Sequence, residues 1–448
     1  MSQAGITLII VGITCVLYVI EKLPVALVTV LGMLAMVFAG SVSFKDAFSN
    51  FGSTPAMLVF GMVIIIDAII DSGVITEFEN VLMKMTRHGE KTFLILILLS
   101  AGVISVFSNN TALVAMFMPF IASVAETTHG RIQKKHIYLP LAVGGLIGGT
   151  GSLAGSTAPL LASEVLKITG QKQFAFFTTA PVAMTILLVV ALCYWLFLYD
   201  LQVKWFDFPE TGNEKPERPP STLEPMIDMV EDLAVIRALG DEQVIPVDRK
   251  HGTFAICVFL LCVVLFITRP FEWDLGLIAV SGAVLVILGG CVDPKTELRN
   301  MMWPAMITLG AALGIADGFV KSGAGDLVIG FLVNTFGPAM TDPKVMVALF
   351  LVSGWIISNF MSNGSLVSML ASVAVPMAIE YGINPEPVAI ACCIGASMAF
   401  ATPVATTTVT MVQIAGYRFK DYLRVGGLIG LIGVVAAWTV IVLMYGLY

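Results

Sequence analysis

The sequence predicts an all-α, polytopic membrane protein made of two inverted repeats. The first observation is composition: of 448 residues, 57% are hydrophobic and only 12% are charged, and the mean hydropathy is +0.92. A soluble chain of this length would need more charge to cover its surface. The second is that apolar runs are long enough to cross the ~30 Å hydrocarbon core of a bilayer. The third is that the two halves of the chain resemble each other.

Eight uninterrupted apolar stretches are predicted to be membrane spans. They cover about 5–20, 24–40, 55–72, 177–199, 253–268, 274–291, 303–320 and 424–446. Two longer stretches, 138–168 and 387–415, contain Gly, Ser, Thr and Pro and are predicted to be broken helices. Two more, 92–126 and 345–380, have a polar break near the middle and are predicted to be re-entrant hairpins. Each half then has five spans, one of them broken, plus one hairpin.

The hairpins have one alternative. Each polar break could be the turn between two full spans, which leaves the parity of crossings unchanged. Residues 93–107 and 112–125 are 15 and 14 residues long, short of the ~20 that a span needs, so hairpins are favoured.

The repeat is visible in short matched segments. Ile104–Met116 (ISVFSNNTALVAM) returns as Ile357–Met369 (ISNFMSNGSLVSM), at a constant offset of 253 and with seven of 13 positions identical. Thr54–Met57 (TPAM), which opens an apolar span, returns as Trp303–Met306 (WPAM). Several matches in the same order indicate an internal duplication.

Charge placement predicts the orientation. An acidic polar linker at 200–252 separates a first repeat at 1–199 from a second at 253–448, and 226–239 within it is predicted to be a short amphipathic surface helix. Because five crossings is an odd number, the second repeat enters the membrane upside down. Of the 24 Lys and Arg residues, 18 fall on the side of the linker and six on the other. The positive-inside rule then predicts that the protein lies in the cell inner membrane with a cytoplasmic linker and with both termini on the outer side.

Four polar breaks at matched positions predict a binding site. They are the hairpin tips Ser108–Thr111 and Met361–Gly364 and the interruptions Gly148–Pro159 and Ala401–Thr408. Carbonyl, amide and hydroxyl oxygens suit a dehydrated alkali cation, and the free N–H groups of half-helix starts suit an anion. The pattern predicts a midplane site for an anion and a coupling cation; helix packing by small residues is the competing interpretation. His-Glu-x-x-His, Gly-x-Ser-x-Gly and P-loop motifs are absent from the sequence, as are basic runs, which argues against an enzyme and against nucleic-acid binding.

The tips also carry a family resemblance. Asn109-Asn110-Thr111-Ala112, with Pro119 eight positions beyond Thr111, resembles the Ser-Asn-Thr hairpin motif of the divalent anion–sodium symporters, within the wider ion transporter superfamily. Ser362-Asn363-Gly364 resembles the second copy of that motif. Gly155-Ser156 and Thr402-Pro403 resemble the broken-helix motifs, and the order of hairpins and broken helices extends the resemblance over nearly the whole chain.

The resemblance implies two sodium sites and one substrate site. It assigns one sodium ion to Ser105, Asn109, Asn110 and Gly155, and the other to Ser358, Ser362, Asn363 and Ala401. It assigns the substrate anion to Asn110, Thr111, Ser156, Asn363 and Thr402. It also implies a homodimer in which hairpins and broken helices move past a scaffold in an elevator-like way. The sequence departs from the family pattern at Asn109 (usually Ser), at Gly364 (usually Thr), and at Pro159 and Ala405 (often Asn).

The leading hypothesis is sodium-coupled uptake of a small divalent oxyanion, such as a di- or tricarboxylate or sulfate. An alternative is anion efflux or cation–proton antiport on the same fold, with Asp67 or Asp317 carrying the proton inside an apolar span. Local hydrogen bonding near the span ends is the competing explanation of those two acids. A third hypothesis is a non-transporting receptor or scaffold that uses the acidic linker as its interaction surface.

Overall fold

A computed structural model describes most of the chain. The described residues are 2–20, 23–72, 89–128, 131–208, 249–268, 273–300, 303–324, 327, 341–359, 363–402 and 406–447. Regular structure within these ranges is entirely helical, as the sequence predicts. The predicted amphipathic helix at 226–239 and most of the linker lie outside the described residues.

The first half contains ten helices in its described part. They are α1 Gln3–Ile20, α2 Val25–Phe38, α3 Phe44–Ser49, α4 Thr54–Asp71, α5 Glu90–Ser105, α6 Asn110–Thr127, α7 Lys134–Gly149, α8 Thr157–Ile168, α9 Ala180–Cys193 and α10 Tyr199–Trp205. A π-helical turn at Tyr194–Leu198 joins α9 to α10.

The second half follows the same order. Its described helices are α11 Arg249–Thr268, α12 Leu275–Leu288, α13 Pro294–Asn300, α14 Trp303–Lys321, α15 Pro343–Ser358, α16 Asn363–Glu380, α17 Pro385–Ser397, α18 Thr407–Met411, α19 Phe419–Asp421 and α20 Gly427–Met444. A π-helical turn at Tyr422–Gly426 joins α19 to α20.

The two halves share local backbone devices as well as helix order. Gly40 follows α2 with φ +73° and Gly290 follows α12 with φ +71°, a left-handed conformation that glycine adopts without a steric penalty. Just beyond, the Ser43 hydroxyl accepts from the Asp46 N–H at 3.1 Å. In the same place of the second half, the Asp293 carboxylate accepts from the Thr296 N–H at 2.9 Å. Each half therefore ends its second helix and starts its third in the same way.

Helix packing is reciprocal between the halves. The first hairpin helix packs on the first part of the broken helix in both, α5 on α7 and α15 on α17. The second and third long helices pair crosswise, α4 with α12 and α2 with α14, and α9 packs against α20. This exchange is what a duplicated fold with a pseudo-twofold axis would show, while the inverted insertion of the second half stays a prediction.

Helix lengths bear on the predicted hairpins. Five helical segments in the described ranges are long and apolar enough to cross a membrane, and Asn363–Glu380 is one of them. Both α6 and α16 have 18 residues, more than the 14 that the sequence suggests for 112–125. The lengths of α6 and α16 therefore do not decide between a re-entrant hairpin and two full spans, and the re-entrant geometry stays a prediction.

The first repeat continues past its predicted boundary at residue 199. Gln202 in α10 is fully buried; its amide donates to the His136 carbonyl at 2.7 Å and its oxygen accepts from the Tyr194 hydroxyl at 2.9 Å. Phe206 and Phe208 pack on the ring of Tyr417, with centroid separations of 5.0 and 6.0 Å. Residues 200–208, which the sequence places in the linker, thus pack on the helical body.

Candidate functional site

The first hairpin tip is held by its own asparagine. The Asn109 side-chain oxygen accepts from the N–H groups of Thr111 at 2.9 Å and Ala112 at 3.3 Å, so Asn109 caps α6 at the turn from α5. This residue was expected to bind sodium. Its side-chain oxygen caps the start of α6, which fixes where Asn110 and Thr111 lie, and its contact with sodium stays a prediction.

Asn110 lies in a nest of oxygen atoms. One terminal atom of its amide is 2.6 Å from Ser105 Oγ and 3.3 Å from the carbonyl oxygens of Gly145 and Gly155. With nitrogen at that position, the amide donates to all three oxygens. With oxygen there, four oxygens face one another, an arrangement that a bound cation would stabilise.

Glycines make this nest possible. A Cβ on Gly155 would lie 2.4 Å from the Ser105 carbonyl, 2.6 Å from that of Gly149 and 2.7 Å from that of Val106. A Cβ on Gly149 would lie 2.1 Å from the Asn110 amide. The tip of the hairpin and the break in the helix therefore meet backbone to backbone, and only glycine fits between them.

Serine side chains satisfy the backbone of the first break. The Ser152 hydroxyl donates to the Val106 carbonyl and accepts from the N–H groups of Ala154 at 3.0 Å and Gly155 at 3.2 Å. Ser156 caps α8, accepting from the Ala158 N–H at 3.3 Å. Such local bonds replace the helical ones lost at a break.

The second break is tied to the second tip by Asn359. Its side-chain oxygen accepts from the Ala401 N–H at 2.8 Å, and its amide donates to the Trp355 carbonyl at 2.7 Å. The Thr402 hydroxyl donates to the Asn359 carbonyl. Sequence reasoning missed Asn359, although it lies inside the repeated segment, because its counterpart at the offset of 253 is the apolar Val106.

These bonds correct the pairing of the broken-helix motifs. Thr402 donates to the carbonyl of residue 359 as Ser152 donates to that of residue 106, so Thr402 corresponds to Ser152. The counterpart of Ser156 is Thr406, which caps α18 by accepting from the Val409 N–H at 3.3 Å. Thr402 is buried and its hydroxyl is already bonded, so it stabilises the break, and its contact with substrate stays a prediction.

The other predicted residues of the second site lie near the second tip. Ser358 is buried and donates to the Trp355 carbonyl at 2.9 Å, and Asn363 opens α16. The side-chain oxygen of Asn363 is buried without a hydrogen-bond partner among the described residues. Ser362 lies outside the described residues.

Each tip reaches the broken helix of the other half. Thr111 Oγ1 is 3.0 Å from Thr407 Oγ1 and 3.2 Å from Thr408 Oγ1, both in α18. At the second tip, a Cβ on Gly364 would lie 3.1 Å from Thr157 Oγ1, in α8. Thr407 and Thr157 follow the caps Thr406 and Ser156, so the two junctions are equivalent. Sequence reasoning missed Thr157 and gave Thr407 and Thr408 no separate role.

Four helix starts converge at these junctions, α6 with α18 and α16 with α8. The first N–H groups of a helix have no partner within that helix, and side chains cap some of them at α6, α8 and α18. Each start also carries the positive end of a helix dipole. The side chains named at the junctions are uncharged amides and hydroxyls. The arrangement can therefore bind an anion through N–H and O–H groups, and cations through carbonyl and amide oxygens.

Comparison with known proteins agrees with this architecture. The family model described as "CitMHS: Citrate transporter" matches residues 15–395 and, separately, residues 263–448. An uncharacterized transporter of Escherichia coli, YfbS, is 26% identical over 190 residues, 42% of this chain, but the match spans only 30% of that protein. The sodium-dependent dicarboxylate transporter SdcS of Staphylococcus aureus is 20% identical over 453 residues, covering 93% of this chain and 81% of that protein.

A solved structure shares the fold. The YdaH transporter of Alcanivorax borkumensis has a TM-score of 0.56 to this chain at 17% identity, over 90% of this chain and 88% of that one. Because the family model covers residues 15–395, most of the sequence, the chain belongs to the CitMHS citrate transporter family of multi-pass membrane transporters and is not an enzyme.

Proposed function

We propose that this protein couples the inward movement of sodium ions to the uptake of a small divalent oxyanion, a di- or tricarboxylate or sulfate. The observation that carries the proposal is that each asparagine-bearing tip meets the broken helix of the other half, at a junction of two helix starts with uncharged side chains. An anion there has no Lys or Arg partner among the residues of the junctions. Bound cations and helix dipoles are then the means of offsetting its charge.

The first sodium ion is proposed to lie in the oxygen nest of Asn110. Its ligands would be Ser105, Asn110 and the carbonyl oxygens around Gly155, whose missing side chain leaves those carbonyls exposed to a cation. Asn109 serves this site indirectly, as the cap that holds the tip. The short distance between the Ser105 hydroxyl and the Asn110 amide, 2.6 Å, supports a preformed site.

The second sodium ion is proposed to lie at the second tip, with Ser358, Ser362, Asn363 and Ala401 as the groups nearest to it. The buried, unpartnered oxygen of Asn363 supports this place, because buried polar atoms are nearly always hydrogen-bonded or bound to an ion. The anion would lie between the tips, against Asn110, Thr111, Ser156 and Asn363. Thr406 is added to this set as the equivalent of Ser156.

Packing supports an elevator-like mechanism. The hairpins and broken helices pack on one another through α5–α7, α15–α17 and α8–α16, while α4–α12 and α2–α14 form two further pairs, of which α14 also packs on α16 and α8. The first group would move as a transport domain, and the second would be the scaffold of a homodimer. We place the protein in the cell inner membrane, with the linker cytoplasmic and both termini outside.

The test is uptake by the purified protein in proteoliposomes, with radiolabelled citrate, succinate and sulfate. Uptake of at least one anion should depend on an inward sodium gradient and disappear when potassium replaces sodium. The double variant Asn110→Ala/Asn363→Ala is the matched negative control. Absence of sodium dependence for every anion of this class would refute the proposal.

Antiport through an acidic side chain is the second candidate, and local geometry argues against it at Asp317. The Asn50 amide donates to the Asp317 carboxylate at 3.1 Å, four residues before the end of α14 at Lys321. That is the environment of a structural acid near a span end. Asp317→Asn should accordingly leave sodium-driven uptake intact, whereas loss of a pH-driven flux in this variant would favour antiport.

A further inference from the structure

Hydrogen bonding is shared unequally between the two tip junctions. At the first, the Thr111 hydroxyl bonds to the hydroxyl of Thr407 at 3.0 Å and to that of Thr408 at 3.2 Å. The Asn110 amide there contacts the Ser105 hydroxyl at 2.6 Å. The side chains of this tip therefore satisfy each other within the protein.

The second junction has polar groups left over. The Asn363 oxygen and the Ser365 hydroxyl are buried and have no hydrogen-bond partner among the described residues, and Ser365 is only 1% exposed. The hydroxyl of Thr157, the first residue of α8, also bonds to none of the described residues and is partly accessible. Because buried polar groups are nearly always hydrogen-bonded, the two buried groups at the start of α16, with the partly accessible Thr157 hydroxyl beside it, point to a ligand.

Thr157 lies beside Gly364 of the second tip. The residue that corresponds to Gly364 at the first tip is Thr111, which carries a hydroxyl, whereas glycine has none. The Thr157 oxygen lies 3.1 Å from the point that a Cβ on residue 364 would occupy. The hydroxyl that the hairpin lacks is thus presented from the opposite side of the junction, by the broken helix of the first half.

We propose that the Thr157 hydroxyl donates a hydrogen bond to an oxygen of the transported oxyanion and is the specificity-determining residue of the second junction. This rests on the proposed function, since it takes the anion to lie between the tips. A hydroxyl that donates to an anionic oxygen forms a short, charge-assisted bond, and the nearby start of α8 adds its N–H groups. Thr157 then adds a hydroxyl donor at the second junction to the proposed contacts of the anion with Asn110, Thr111, Ser156 and Asn363.

The first experiment measures anion affinity by ligand-induced thermal stabilisation of the purified full chain. Citrate, succinate and sulfate are each titrated in sodium and in potassium, and the anion that stabilises the protein in sodium is carried forward. Thr157→Val should raise the apparent Kd of that anion roughly tenfold or more, which is the scale of a lost bond to a charged group. Stabilisation by sodium alone should be unchanged, which shows that the variant is folded.

A matched control and a rescue separate this role from packing. Thr439→Val removes a hydroxyl that bonds only to its own helix, at the Val435 carbonyl 2.8 Å away, and should bind the anion like the wild type. Thr157→Ser keeps the hydroxyl and should retain most of the affinity. Should Thr157→Val fail to fold, Thr157→Ser and the exchange variant still provide the comparison.

The exchange variant moves the hydroxyl from α8 to α16. In Thr157→Ala/Gly364→Ser, the new Cβ would face the Cβ of residue 157 at 3.9 Å, an ordinary contact, and the hydroxyl returns to the hairpin. Each single change should weaken anion binding, and the double variant should recover a large part of it. Recovery of this kind is not expected of a residue that only packs.

The outcomes are distinct. Wild-type affinity in both Thr157→Val and Thr157→Ala would overturn the role of Thr157 and leave sodium-coupled anion transport standing. If the wild type binds none of the three anions in sodium, the proposed function fails, and the role of Thr157 falls with it.

Discussion

The hydroxyls of Thr111 and Thr407 lie 3.0 Å apart although 296 residues separate them in the chain. The bond joins the hairpin of the first half to the broken helix of the second. Thr111, which the sequence assigns to a binding motif, is therefore held in position by Thr407 of the other half.

This bond should appear as thermodynamic coupling. Thr111→Val and Thr407→Val should each lower stability by about 1 kcal/mol, the usual net value of one hydrogen bond. Because the two hydroxyls share a bond, the double variant should cost less than the sum, by about 0.5 kcal/mol or more. Thermal unfolding of all four proteins in one detergent gives the cycle, with Thr111→Val/Thr439→Val as the uncoupled pair. Strict additivity for Thr111 and Thr407 would contradict the shared bond.

Asn110 should be essential for sodium binding. Asn110→Ala removes the amide from the oxygen nest, so sodium should no longer stabilise the protein and sodium-driven uptake should disappear. The matched control is Asn384→Ala, which removes an exposed cap from the Glu386 N–H and should cost only about 1 kcal/mol of stability. Sodium-dependent unfolding temperatures check both variants, and retained sodium stabilisation in Asn110→Ala would exclude the nest as a cation site.

Gly155 should tolerate no side chain. In Gly155→Ala the new Cβ would overlap three carbonyl oxygens at 2.4–2.7 Å, so either the break opens or the protein loses about 1–3 kcal/mol or more. Gly12 is the control, since a Cβ there meets nothing within 4 Å, and Gly12→Ala in the helix α1 should be neutral or stabilising. Unfolding temperature and sodium stabilisation are the measurements. A Gly155→Ala protein with wild-type sodium affinity would show that the carbonyls are not ligands.

Asn359 should be a structural link of the second break. Asn359→Ala leaves the Ala401 N–H without its partner, which should cost about 1–3 kcal/mol. Asn359→Asp keeps the accepting oxygen for that N–H but loses the donor to Trp355, so its loss should be smaller. Unfolding curves of the two variants measure these losses of stability. Equal losses would show that Asn359 does not stabilise the protein through its bond to Ala401.

A buried pair away from the site should govern stability rather than transport. Glu90 accepts from His136 Nδ1 at 3.1 Å, from the Gln133 N–H at 2.6 Å and from the Tyr199 hydroxyl at 2.7 Å. His136→Phe removes one of the three donors to Glu90 and should therefore cost about 1–3 kcal/mol, the usual loss when a buried hydrogen-bond partner is removed, with sodium dependence retained. The exposed pair of Lys91 and Asp200, 3.7 Å apart, is the control, and Lys91→Met should cost less than about 1 kcal/mol. A change in sodium affinity in His136→Phe would place the pair within the transport cycle.

Much of the fold could be predicted because hydropathy and the internal repeat act over long stretches of sequence. The position of Asn110 follows from the exact offset of 253 between the tips. The breaks are less regular: the first separates Gly149 from Thr157 and the second separates Ser397 from Thr407, so a fixed offset pairs the wrong residues there. The offset of 253 would pair Thr402 with Gly149, whereas hydrogen bonding matches it to Ser152.

Other features had no sequence signal of their own. The oxygens around Asn110 are largely backbone carbonyls, which every residue carries, so only the approach allowed by Gly149 and Gly155 reveals them. Thr157 looks like an ordinary first residue of a helix until its distance from Gly364 is known. Gln202 reads as part of a polar linker, yet packing buries it completely.

The crossed junctions have a consequence for the origin of the protein. Since each tip is completed by the broken helix of the other half, one half alone could form neither junction. A half-length ancestor would have needed two copies, and both of its junctions would have been identical. In one joined chain that identity is no longer required, and this sequence has threonine at position 111 but glycine at 364.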